Sequence, residues 1–287
     1  MGKAQPLIRE NPGIPGFCPL EITGLTILSA YNPLYSLAGF LVGMLVGLTG
    51  VGGGSLMTPL LVLLFGFHPS TAVGSDLLYA SVTKTVGTVV HGNQKTVDWR
   101  IVGALATGSV PAAILTLLMM SRLGTMSGEA SHFLSLLLGI SLLLTGVAVL
   151  FRPWILRWAG EHIDAMGRPR ALRWTIALGV ALGVLVSITS VGAGALGTTA
   201  LLILYPRLPV ARIAGSDIAH AVPLTLIAGI GHWLMGSVDF ALILALLVGS
   251  IPGIIVGSLL ANRARDKLLR PVLAVTLLIV AAKLLLA

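Results

Sequence analysis

Residues 51–58 read VGGGSLMT and residues 191–198 read VGAGALGT, an offset of 140. Pro69 and Pro209 keep that offset. After a slip of one residue, GSD at Gly74 matches GSD at Gly215. The offset of 141 then holds for His91 and His232, for VD at Val97 and Val238, and for GSVP at Gly108 with GSIP at Gly249. A register kept over about sixty residues marks an internal repeat, so the chain must fold as two related units.

Each unit is built from apolar runs. The 287 residues are 56% hydrophobic and 10% charged, with a mean hydropathy of +0.99. No soluble core of this size needs so much apolar surface, which predicts a polytopic membrane protein. Apolar runs between polar breaks give about ten helical segments, at 34–50, 54–66, 70–91, 98–120, 131–151, 172–189, 195–205, 210–234, 238–261 and 268–286. Five segments per unit is an odd number, so the second unit enters from the opposite face. The expected fold is therefore all-α, two inverted five-segment repeats with glycine-broken helices. Segments 54–66 and 195–205 reach only about 15–20 Å at about 1.5 Å per residue, short of the roughly 30 Å hydrocarbon core, and either one fits half of a re-entrant hairpin. The expected divisions are an external N-terminal arm at 1–33, a first membrane repeat at 34–151, a basic cytoplasmic linker at 152–171 and a second membrane repeat at 172–287.

The basic residues orient these segments. The side holding the N-terminus carries Lys3, Arg9, Arg122 and Lys283, and the other side carries thirteen Lys and Arg, while Lys84 is intramembrane. The bias places the basic loops in the cytoplasm and both termini outside. It also gives the formal charge of +8 a use other than nucleic-acid binding. Residues 1–33 show no signal-peptide pattern and read as an external arm with an interfacial stretch around 25–34. The single cysteine, Cys18, leaves no intrachain disulfide and no cysteine-ligated metal site.

A glycine costs about 1 kcal/mol inside a helix relative to alanine, so GGG in a membrane segment calls for a reason. In lipid, unpaired backbone is tolerated only beside protein or a water-filled cavity. A break there exposes N–H groups at the start of the next half-helix, and the helix dipole adds positive partial charge. Two such starts, near Ser55 and Ala195, are expected to converge near the midplane, as in many secondary transporters. The predicted substrate site comprises Gly52, Gly53, Gly54, Ser55, Thr58 and Lys84 from the first repeat. Ser190, Gly192, Gly194, Ala195 and Thr198 complete it from the second, with Thr199 as a further hydroxyl. Neutral donors in this arrangement suit a small anion. Gly43, Gly47, Gly179 and Gly183 read instead as close helix packing.

Ionisable residues inside a membrane are costly and are functional candidates by default. Asp76 and Asp217 each follow Gly-Ser, which fits a cap on a second helix break or a proton-coupling group. His220 stands where the first repeat has Tyr79 and suits either a proton relay or packing. His91 and His232 lie at segment ends, where an interfacial role suffices. Asp98 and Asp239 read as helix N-terminal charges. Lys84 and Asp217 fall at matching depths, about 10 Å from the cytoplasmic face. Lys84 is therefore expected to pair with Asp217, to receive the anion, or to snorkel.

The segments GLTGVGGGSLMTPLL, GSDLLYASVTKTVGTVVHGNQKTVDWR and GSVP resemble the TauE/SafE family of sulfite and organosulfonate exporters. The resemblance covers nearly all of residues 35–285 and implies a polytopic transporter of small sulfur-containing anions in the bacterial inner membrane. Ala193 departs from the glycine pattern in the second half. The function expected is a secondary transporter moving sulfite or an organosulfonate by alternating access. An anion channel is the alternative, and an intramembrane enzyme using Asp76 and Asp217 is the less favoured one. The glycine stretch lacks the G-K-[ST] ending of a nucleotide-binding loop, which argues against ATP-driven pumping. No cofactor, metal or catalytic residue is assigned. The partners expected are the anion, the lipid bilayer and a coupling proton, with a homodimer left open.

Overall fold

The computed structural model describes residues 33–49, 56–123, 128–162, 168–260 and 266–286. The expected N-terminal arm lies outside them apart from Pro33, as do Gly52, Gly53, Gly54 and Ser55. Ten helices are described: α1 Pro33–Thr49, α2 Met57–Leu63, α3 Pro69–Asn93, α4 Trp99–Leu123, α5 Gly128–His162, α6 Arg168–Thr189, α7 Ala195–Leu204, α8 Val210–Leu234, α9 Phe240–Leu260 and α10 Asp266–Leu286. No strand occurs among the described residues. The fold is all-helical, as the apolar runs predict.

The largest difference in limits is at α5, which continues to His162 although the apolar run ends at Phe151. Polar residues mark where a helix leaves the apolar layer, and its backbone bonds continue beyond that point. α2 has seven residues and α7 has ten. At about 10 and 15 Å, neither crosses a bilayer alone.

Five described helices are long and apolar enough to cross a membrane, over Trp99–Arg122, Phe133–Arg157, Pro169–Thr189, Val210–Leu234 and Phe240–Gly257. Leu37, Leu115, Met119, Leu144 and Val248 are exposed on the outside, while Thr58, Asp76, Lys84, Ser109, Asp217 and His220 are buried within. Apolar outside and polar inside is the arrangement a lipid solvent requires.

Contacts between the halves are reciprocal. α1 packs on α9, and α6 packs on α4; α3 packs on α8, and α5 on α10. A Cβ at Gly43 of α1 would stand 2.5 Å from the Ser250 carbonyl oxygen, and one at Gly183 of α6 would stand 2.5 Å from that of Ser109. These are equivalent positions under the offsets, and at each the backbones meet with no room for a side chain. The helix starts follow the same rule. The Asp239 N–H before α9 donates to Ser75 Oγ at 2.9 Å, and the Asp98 N–H before α4 donates to Ser216 Oγ at 2.8 Å. Each GSD serine thus satisfies a backbone donor at a helix start of the other half.

That finding corrects one expectation. α3 and α8 run unbroken through Asp76 and Asp217, so the GSD motifs cap no second break in their own helix. Each serine accepts an N–H of the neighbouring helix start, and Ser216 also donates its hydroxyl to the Arg212 carbonyl of its own helix at 2.7 Å.

Candidate functional site

The second glycine break is fully described. α6 ends at Thr189, and Ser190 takes a left-handed φ of 58°. Its N–H bonds the Val186 carbonyl at 2.8 Å, closing the helix with an αL motif. Gly194, at φ 133°, then turns the chain into α7, a conformation open only to glycine. The Thr198 N–H bonds the Gly194 carbonyl at 2.9 Å, and the Gly197 N–H bonds that of Gly192 at 3.3 Å. The N–H groups of Ala195 and Leu196 have no backbone partner among the described residues. Ala193 and Ala195 are 3% and 2% exposed, so this helix start lies inside the protein.

α3 sends two charged side chains onto that break. Ser190 donates its hydroxyl to Asp76 Oδ2 at 2.9 Å, and the Thr58 hydroxyl from the first turn of α2 donates to the same oxygen. Eight residues further on, about 12 Å along the axis, Lys84 Nζ donates to the Ala193 carbonyl at 3.4 Å. Lys84 is 5% exposed and does not snorkel to water. Nor does it pair with Asp217. The one ion pair among the described residues joins Arg212 and Asp98 at 3.5 Å, near the surface.

Asp217 is fully buried, and neither carboxylate oxygen has a hydrogen-bond partner among the described residues. Its Oδ1 lies against Gly197 in the first turn of α7, so close that a Cβ there would collide with it. Lys84 and Arg152 are the cations acting on it. The two acids therefore occupy related places. Asp76 faces the first turn of α2, and Asp217 faces the first turn of α7.

The remaining predicted residues divide. The hydroxyls of Thr198 and Thr199 donate to carbonyls of their own helix start, Gly194 and Ala195, and are not free for a ligand. His220 is buried, with Nε2 2.8 Å from Ser109 Oγ. His91 Nδ1 meets Thr96 Oγ1 at 2.9 Å at the half-buried end of α3. His232 departs from the interfacial reading, because it is 1% exposed and its Nε2–H donates to the Ser187 carbonyl at 2.8 Å. Its helix end is covered by the last turn of α6. Asp98 and Asp239 do stand at helix starts, where their Oδ1 atoms accept the N–H groups of Arg100 and Leu242 at 3.1 and 3.0 Å.

Two participants were not foreseen. Ser109 carries no signal beyond its place in GSVP. Arg152 counts as a loop charge in the sequence, yet it is 2% exposed within α5. An arginine next to proline at the end of an apolar run gives no hint that its helix continues inward-facing.

Residues 35–284 match the family described as Sulfite exporter TauE/SafE. The chain belongs to the TauE/SafE family. One similar protein is the probable membrane transporter protein YjnA of Bacillus subtilis, 39% identical over 251 residues, covering 86% of this chain and 97% of the relative. YdhB of the same organism, also a probable membrane transporter protein, is 28% identical over 80% of the chain and 90% of its own length. A probable membrane transporter protein of Xylella fastidiosa is 28% identical over 79% and 83%. No solved structure matches. With its five candidate spans and its transporter relatives, this TauE/SafE member is a multi-pass membrane protein.

Proposed function

We propose that the chain is a secondary transporter that moves a small sulfur-containing oxyanion, sulfite or an organosulfonate, by alternating access. The observation that carries this reading is the start of α7. It is buried, two of its N–H groups have no backbone partner among the described residues, and Lys84 stands beside it. Such a helix start with a nearby cation receives an anion. The family name supports a sulfur oxyanion as the cargo. On this reading the two halves, 34–151 and 172–287, are inverted repeats that rock about the two glycine breaks. The protein sits in the bacterial inner membrane with basic loops in the cytoplasm and both termini outside.

Uptake of labelled sulfite and of organosulfonates by proteoliposomes tests the reading. Saturable uptake with counterflow supports a carrier. Flux that rises linearly without counterflow identifies a channel. Chemistry on an offered ester or peptide without flux identifies an enzyme.

A further inference from the structure

In the structure two hydroxyls, of Thr58 in the first turn of α2 and of Ser190 at the α6–α7 break, both donate to one oxygen of Asp76. These are donors that an oxyanion bound there would use. Asp76 is fully buried, and its other oxygen has no partner among the described residues. The carboxylate therefore holds α2 of one half to the α6–α7 break of the other.

The charges around it set a condition on anion entry. Thr58 from α2 and Ser190 from the break contact Asp76, and the charge of Lys84 and the Tyr79 hydroxyl, both on α3 itself, interact with it through space. The charge of Lys84 also acts on Asp217 and His220 of α8, and that of Arg152 of α5 acts on Asp217. His220 is held at Nε2 by Ser109. An anion entering beside the buried Asp76 carboxylate meets a like charge in a site closed to water, where like charges repel strongly.

We propose that the transported anion displaces Asp76 from Thr58 and Ser190, and that Asp76 takes up one proton as it yields them. The proton comes from the side on which the anion enters and binds a carboxylate oxygen, giving a neutral acid. When the anion leaves on the other side, the acid releases the proton to that side and recovers both hydroxyls. One proton thus travels with each anion. This rests on the transporter reading above.

Methanesulfonate, which stays ionised across the working pH range, and sulfite serve as probes in proteoliposomes. The wild type should accumulate the probe when a proton gradient runs in the same direction. In Asp76→Asn the ratio of gradient-driven accumulation to counterflow should fall at least tenfold, and Asp76→Glu should restore it. An unchanged ratio in Asp76→Asn, or the same loss in Asp217→Asn but not in Asp76→Asn, overturns the proposal and leaves the carrier reading standing. No saturable flux of either probe in the wild type overturns the carrier reading, and this proposal with it. Should Asp76→Asn not fold, proton uptake by the detergent-solubilised wild type on adding methanesulfonate or sulfite decides the matter. One proton per bound anion is expected, and none overturns the proposal.

Discussion

Ser190 and Asp76 are separated by 114 residues in sequence and by 2.9 Å in space. The serine sits in a left-handed turn at the second break, and the acid sits in the continuous helix α3 of the first half. One hydrogen bond therefore joins the continuous helix of one half to the glycine break in the other.

Removing that bond should cost stability. Hydrogen bonds to charged groups contribute about 1.5–3 kcal/mol. Ser190→Ala should lower thermal stability in detergent by an amount in that range. Combined with Asp76→Asn it should lower stability by less than the sum of the single changes, because both act on one bond. Additive effects would place the two side chains in separate environments.

The reciprocal serines give a second test. Ser75 and Ser216 each hold one backbone N–H of a helix start in the other half. Ser75→Ala and Ser216→Ala should each cost about 1 kcal/mol, the usual value of a lost helix-start hydroxyl. The two losses should add in the double variant, since the sites share no partner. A strong loss for one and none for the other would break the reciprocity.

Lys84 supplies the third. Its ammonium bonds the Ala193 carbonyl, and its charge acts on both buried acids. Lys84→Met should raise the KM for the transported anion more than tenfold, because the cation beside α7 is lost. Normal KM and normal thermal stability together would remove any specific role for it.

A fourth test needs no transport assay. Lys95 takes φ 56° after α3, where the equivalent position after α8 is Gly236 at φ 75°. A side chain in this conformation costs about 1 kcal/mol relative to glycine. Lys95→Gly should therefore raise the melting temperature of the detergent-solubilised protein slightly. A fall would show that the lysine side chain contributes more than its backbone strain costs.

Much of the fold was legible because hydropathy and offset report local facts. The helix limits of α8 and the short lengths of α2 and α7 follow from apolar runs and glycine breaks alone. The bonds among the side chains that meet at the α6–α7 break are not legible in the sequence. Thr58, Asp76, Lys84 and Ser190 were each singled out, yet nothing in their spacing says that Asp76 takes both hydroxyls. Sequence also offered Thr198 and Thr199 as free donors, while a helix start satisfies such hydroxyls on its own carbonyls. His232 and Arg152 were misplaced for one reason. Both lie near segment ends, and hydropathy cannot tell an end covered by another helix from one facing water.

The central claim is that the anion binds at the start of α7, and Gly194 is its most exacting residue. At φ 133° it takes a conformation open only to glycine, directly before the N–H groups of Ala195 and Leu196, which have no backbone partner among the described residues. Counterflow of labelled sulfite and methanesulfonate in proteoliposomes should be compared for the wild type and Gly194→Val, with membrane insertion and monodispersity checked in both. The account expects saturable counterflow in the wild type and its loss in an inserted, monodisperse Gly194→Val. Counterflow unchanged by the substitution would contradict it.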